Sequence, residues 1–271
     1  MQETEFGSWE EFEEKIIKIR NSRDECKLDF PLLFRGHSNS AWPLKTTLER
    51  NNHSGMPFEE YYRLISSLRP EIESLAGTVW EVPAHSEILK MVSDDQTFSQ
   101  ALNSDSIPAC DYMAYLRHHG FPSPLLDWTK SLYVAAYFAF RSATESKQVS
   151  IFVLDEGDLK CRSNWDSRIY RPGGHVKPHK RHFLQQSCYT MCLINLNQEE
   201  WRFAEHETVF KNDYEQAGYG LTKINIPASE RLKVLKKLDE HNLNAFSLFG
   251  SEESLMETLS LRELHYNKRA C

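Results

Sequence analysis

Apolar positions in this chain fall into two rhythms, and each marks an element. Ser8-Trp9-Glu10-Glu11 forms a capping box, with Ser8 at N-cap and Glu11 at N3. Phe12, Ile16 and Ile19 follow at helical spacing and predict a helix over residues 8–20. Pro31-Leu32-Leu33-Phe34-Arg35-Gly36 is a short apolar run closed by glycine and predicts a buried strand. Residues 57–69 predict a second helix: Pro57 suits its first turn, and Phe58, Tyr61, Tyr62, Ile65 and Leu68 make one apolar stripe. Residues 70–104 are mixed and helical in part. Another helix is expected over 106–119, with Tyr112, Tyr115, Leu116 and His119 on adjoining faces. Gly120 stops it, and Pro122 and Pro124 prevent its continuing.

Downstream, Leu125-Leu126-Asp127-Trp128-Thr129 reads as a short buried strand or extended turn. Residues 131–142 are apolar on every side, which puts a helix at the centre of a domain. Residues 149–154 predict a strand, and 189–196 and 220–226 are strand candidates. The stretch 156–180 is loop-like, with Arg171-Pro172-Gly173-Gly174 as its turn signal. Ser229 is expected to cap a helix carrying Leu232, Leu235 and Leu238. Ser251 should cap a last helix, with Glu252 and Glu253 in its first turn and Leu255, Met256 and Leu259 turned inward. Helices and strands mix without a βαβ rhythm, internal repeat or low-complexity linker, which predicts one α+β domain over residues 1–271.

Composition narrows the class. A hydrophobic fraction of 40% over 271 residues suffices for a sizeable core. No apolar run reaches the roughly 18 residues that cross a bilayer, so no membrane partner is expected. The stretch from Met1 to Lys15 lacks the pattern of a signal peptide, and a cytoplasmic location is expected. Cys26, Cys110, Cys161, Cys188, Cys192 and Cys271 are scattered without a CxxC pair. They read as reduced, packed thiols, with no metal site. A net charge of −7 argues against general nucleic-acid affinity and leaves room for a local basic patch.

Four segments can carry chemistry. Arg35 ends a buried strand, where a guanidinium needs a partner; a phosphate or carboxylate gripped by two parallel hydrogen bonds suits it, as does a structural ion pair. His118 and His119 end a helix, near the negative end of its dipole, and point about 100° apart, so one of them is expected to face a cleft. Asp127 lies within an apolar run and needs a partner; Arg35 and its own turn are candidates. Gly173 to His182 is a basic, histidine-rich loop that would attract an anion or simply be solvated. Gln185-Gln186 can fix an amide or a ribose hydroxyl but cannot act as a base.

Together, Phe34-Arg35-Gly36, the run from His118 through Phe121-Pro122-Ser123-Pro124 to Thr129, Ala135 to Ala139, Arg181 to Tyr189, and Leu248 to Glu253 resemble the FRG domain family, named for its (F/Y)-R-G motif. The resemblance spans about residues 30–260, and the dozen ordered positions of the central motif make it specific. Ser187 stands where the family more often has Gly. The family consists of bacterial and phage-related cytoplasmic proteins, some near defence genes, and implies a fold and a site rather than a reaction.

A second resemblance, in motif order alone, is to ADP-ribosyltransferases of the Arg-Ser-Glu type. It implies mixed helices around a small, mainly antiparallel split sheet, and NAD as the ligand. Arg35 would grip its phosphates, Asp127-Trp128-Thr129 would support the ribose, and Ala135 to Ala139 would form the following helix. Gln stands where those enzymes have Glu. Asp127, Glu205, Glu207 or Glu252 would then supply the charge that stabilises an oxocarbenium ion, or the domain binds nucleotide without transfer. The resemblances imply Arg35, His119, Asp127 and Gln186 for catalysis. They imply Arg35, Gly36, His118, Trp128, Thr129, Arg181 and Gln185 for holding the nucleotide.

Four readings stand open on sequence. One is an NAD-using ADP-ribosyltransferase-like toxin or phage-defence effector, acting on a protein or RNA and neutralised by an antitoxin. The second is a non-catalytic module that senses a nucleotide or other phosphorylated ligand. The third is a nuclease or phosphotransferase using His118 or His119 as acid or base. In the fourth the motifs only determine the fold.

Overall fold

A computed structural model describes residues 1–25, 30–103, 107–157, 167–172, 180–196, 200–210 and 220–266. Its strands are β1 (Gln2–Glu5), β2 (Leu32–His37), β3 (Leu126–Thr129), β4 (Gln148–Asp155), β5 (Ser167–Tyr170), β6 (Ser187–Leu196), β7 (Glu200–Phe203) and β8 (Leu221–Pro227). They form one open sheet in the order β1-β8-β4-β2-β3-β6-β5, with β7 on the second half of β6. Every pairing is antiparallel except β1 with β8.

The centre of this sheet is its weak seam. All six residues of β2 pair with β4, and all four of β3 pair with β6. Between β2 and β3 only Phe34 and Thr129 are in register. Past that point the strands part, and the residue that follows Phe34 is Arg35. A buried strand residue with a long polar side chain needs room and partners, and the parted strands supply both.

Eleven helices are present among the described residues: α1 (Trp9–Glu25), α2 (Thr47–Arg50), α3 (Phe58–Ala76), α4 (His85–Ser93), α5 (Asp95–Asn103), α6 (Cys110–His118), α7 (Leu132–Arg141), α8 (Lys180–Leu184), α9 (Arg231–Glu240), α10 (Ala245–Phe249) and α11 (Glu252–Leu261). One core forms where α1, α7 and α9 cover one face of the sheet, through Phe12, Ile16, Ala136, Phe140, Val234 and Leu238 on Phe34, Ile151 and Ile226. The all-round apolar α7 sits at its middle, as its sequence predicts. A second core lies under α3 to α6, where Phe58, Tyr62, Phe98 and Tyr112 pack against Met191, Trp201 and Phe203. The chain is a single α+β domain with a mainly antiparallel sheet.

Gly36 fixes how closely α7 approaches. A Cβ there would stand 2.0 Å from the carbonyl oxygen of Ala135 and 2.6 Å from the nitrogen of Ala139. Strand backbone and helix backbone touch, which requires glycine on one side and small residues on the other.

Several elements differ from the sequence reading. The loop-like stretch 156–180 contains β5, whose Ile169 and Tyr170 are buried against β6; four residues are too few for alternation to show. Helix α3 continues through the exposed Pro70 to Ala76 and ends at Gly77, whose φ is 65°. Ser229 lies in a 3-10 turn, Ala228–Glu230, and caps nothing. Helix α11 turns Ser254 and Thr258 inward, because Thr258 accepts the Phe246 amide at the start of α10. Met256 and Leu259 are exposed instead. Ser251 does cap α11, through the Ser254 amide. Cys110, Cys188 and Cys192 are buried and form no disulfide, while Cys26, Cys161, Cys271 and Gly173 to His179 of the basic loop lie outside the described residues. Among the described residues no helix is long and apolar enough to cross a membrane.

Candidate functional site

The parting of β2 from β3 opens a cleft of about 620 Å³, walled by Phe34 to Ser38 and by Arg117, His118 and Asp127 to Thr129. Trp42, Pro43 and Arg50 close one rim, and Ala135, Phe138, Arg181, Gln185, Ser187 and Phe249 the other. Arg35 stands at its base. Its Nε donates to Nε2 of His37 at 3.1 Å, and its Nη1 donates to the main-chain oxygen of Asp127 at 2.7 Å. The Asp127 carboxylate lies 3.7 Å from the same nitrogen. Arg117, from the last turn of α6, donates to that carboxylate from Nη2. Two guanidiniums thus share one carboxylate.

The balance of charge is the site's main property. Four arginines line the cleft, Arg35, Arg50, Arg117 and Arg181, and Asp127 is the one carboxylate lining it among the described residues. Burial lowers the Arg35 guanidinium to about 10, Asp127 opposes that shift, and Arg117 and Arg50 add to it; Arg35 stays charged at neutral pH. Burial also lowers Arg50, with Arg117 adding to the effect. The Nε of Arg117 is buried without a hydrogen-bond partner, a cost that the fold itself carries. His37 must be neutral at Nε2 to accept from Arg35, and burial, reinforced by the Arg35 charge, pushes it down to about 3.

The sequence candidates separate into three groups. Arg35, Gly36, His118, Asp127, Arg181 and Gln185 reach the cleft. Trp128 and Thr129 line it but are committed to the scaffold. The Trp128 indole is 2% exposed and donates to Thr190 at 2.7 Å; the Thr129 hydroxyl donates to the Gln185 carbonyl at 2.7 Å. His119 and Gln186 do not line it. His119 is exposed and stacks on Tyr115, with ring centroids 4.3 Å apart, because one residue's rotation at the end of α6 takes it away from His118. Gln186 sits in the turn before β6 with φ 47°, and its carbonyl accepts the Lys130 amide. Glu205 pairs with Lys45 at 3.3 Å, and neither it, Glu207 nor Glu252 lines the cleft.

Arg50, Arg117 and Trp42 are cleft residues that sequence reasoning did not single out. Arg117 directly precedes the histidine pair, and Trp42 is a large aromatic in a polar loop, 54% exposed; both were local signals. Arg50 has none, since only the fold brings α2 to the cleft. Phe138, Phe249 and Trp42 offer aromatic surface beside the arginines, whereas the buried Trp128 presents a wall.

Residues 31–148 match the family model of the FRG domain. That span holds the Phe34-Arg35-Gly36 strand, the His118 to Thr129 wall and the Ala135 to Ala139 helix; Arg181, Gln185 and Phe249 lie beyond it. No curated protein and no solved structure matches the chain. The two strands that part to make the cleft, and the helix packed on Gly36, therefore lie within residues 31–148, the portion that matches the FRG domain.

Proposed function

We propose that the cleft binds a phosphorylated nucleotide of the NAD class and that the chain is an ADP-ribosyltransferase-like protein acting on a macromolecule. The observation that carries the ligand class is the gathering of four arginines and one carboxylate around a cleft that also offers Trp42, Phe138 and Phe249. Guanidiniums grip phosphate oxygens in pairs, and aromatic faces take a base, so a polyanion with a flat ring fits both halves. In the transfer reaction the bond from C1′ of the nicotinamide ribose to nitrogen breaks and its electron pair leaves with nicotinamide. The target's nucleophile bonds to C1′ and gives up a proton. Asp127 is the group placed to stabilise the cationic ribose.

A second reading has its own support. The Asp127 carboxylate is engaged by Arg117 and faces Arg35, so its charge is largely compensated, and a cleft with excess positive charge opposes a developing cation. A nucleotide-sensing module without turnover follows from that arrangement. Crystals soaked with NAD test the shared part: pyrophosphate density is expected among Arg35, Arg50 and Arg117, and a cleft empty at saturating NAD overturns it. Nicotinamide release over hours, followed chromatographically, then selects transfer; bound but intact NAD selects sensing.

A further inference from the structure

The cleft holds a second cluster that the ligand reading leaves unused. His118 lines it at the end of α6, and its Nε2 lies 2.7 Å from the hydroxyl of Tyr189 on β6. That hydroxyl also lies 3.4 Å from Nδ1 of His182 on α8. Tyr189 is 2% exposed, so its hydroxyl has to be satisfied within the protein.

One phenol carries one proton, which it donates to one imidazole while accepting from the other. When His118 bears a proton on Nε2, that N–H donates to the phenol oxygen and the phenol O–H turns to Nδ1 of His182. When Nε2 of His118 is bare, the O–H donates to it, and the Nδ1–H of His182 donates to the phenol. Both states leave the buried hydroxyl paired. With no acceptor at position 182, protonating His118 would orphan the phenol proton, a cost borne by the charged form of His118 alone.

We propose that Tyr189 and His182 are the positioning pair that lets His118 take up and release a proton in the cleft. Neither is among the residues lining the cleft, so both act through His118. In the transfer reaction, the proton lost by the nucleophile as it bonds to C1′ goes to His118. The inference rests on the cleft being the working site proposed above, but not on the identity of the ligand.

The charged and titratable groups around the cluster come from every neighbouring element. Arg117 is next to His118 on α6, Asp127 is in register with Tyr189 on β3, and Cys188 precedes Tyr189 on β6. Lys130 acts on His182, Arg181 stands on α8, and Arg35 and Arg50 also line the cleft. Burial, with Lys130 adding to it, lowers His182, and burial raises the Tyr189 phenol. The first shift favours the neutral, accepting form of His182, and the second keeps the proton on the Tyr189 phenol.

Nuclear magnetic resonance titration of the His118 ring in the full chain, without ligand, tests the proposal. His182→Leu is expected to lower the His118 midpoint by about one pH unit, and His182→Asn, which keeps an acceptor oxygen, to restore most of it. In a Tyr189→Phe background, His182→Leu should add nothing. Equal midpoints in the wild type and His182→Leu overturn the proposal, and so does the same shift without the phenol. Should His182→Leu fail to fold, Tyr189→Phe alone decides: it removes one oxygen and is expected to lower the midpoint, and an unchanged midpoint overturns the proposal. Since no ligand is present, this result and the fate of the NAD reading are independent.

Discussion

Arg35 donates to the main-chain oxygen of Asp127 at 2.7 Å, across the gap where β2 and β3 part. The split is thus bridged by a side chain in place of a strand ladder, and the same guanidinium is held at Nε by His37. Lysine carries its donors on one nitrogen and cannot place them where Nε and Nη1 of Arg35 stand. Arg35→Lys is expected to lower stability by about 1–3 kcal/mol, because buried acceptors lose their donor, and to abolish nucleotide binding. Urea denaturation and a binding titration on the same sample check both.

Gly36→Ala should be among the most damaging single changes in the chain. The added methyl meets the Ala135 carbonyl oxygen at 2.0 Å and the Ala139 nitrogen at 2.6 Å, and both are helix backbone that cannot swing aside. The loss should reach or exceed the upper end of the roughly 1–3 kcal/mol typical of overpacking. Thermal unfolding measures it, and a wild-type melting temperature would show that α7 does not sit on β2 as described.

Acid should unfold the protein through two histidines. Burial holds His37 and His206 neutral down to about 3, with Arg35 adding to both shifts. An unfolded imidazole takes a proton near 6.5, so stability is whole above that pH and falls as pH drops toward 3. Each histidine contributes a slope of about 1.4 kcal/mol per pH unit in that window. Denaturation midpoints at pH 7, 6, 5 and 4 should decline across this window, and His206→Gln should make the decline shallower by about one proton.

Trp42→Ala should separate binding from stability. Trp42 is 54% exposed at the rim of the cleft, so its removal leaves the melting temperature within a degree or two. Stacking on a base is worth about 1–3 kcal/mol, which predicts nucleotide affinity down roughly ten- to hundredfold. Its fluorescence in the wild type should be quenched on binding.

How far the sequence reached depends on what each element needed. The Ser8 cap of α1, the stripes of α1 and α3, and the apolar α7 were legible because helix ends and burial impose their patterns directly. β5 and β7 were not, being four residues each and paired as strands only with β6. At the site, Arg35 and Asp127 were legible as charges within apolar runs, and the divergence of His118 from His119 followed from helix geometry. Trp128 was expected to help hold the nucleotide, but its N–H is spent on Thr190. Arg50 was invisible, because its place in the cleft comes from the packing of α2 on the loop at Ser123, whose carbonyl accepts the Leu48 amide.

The most direct measurement is a calorimetric titration of NAD into the wild type and into Arg117→Ala, each at low and high salt. Arg117 brings a guanidinium to the cleft, and losing a charge-assisted contact costs about 2–5 kcal/mol of binding. The expected result is saturable binding by the wild type, weakened by salt, and at least tenfold weaker in the variant. No saturable binding to the wild type, or equal affinity in both proteins at both salt concentrations, would contradict the account.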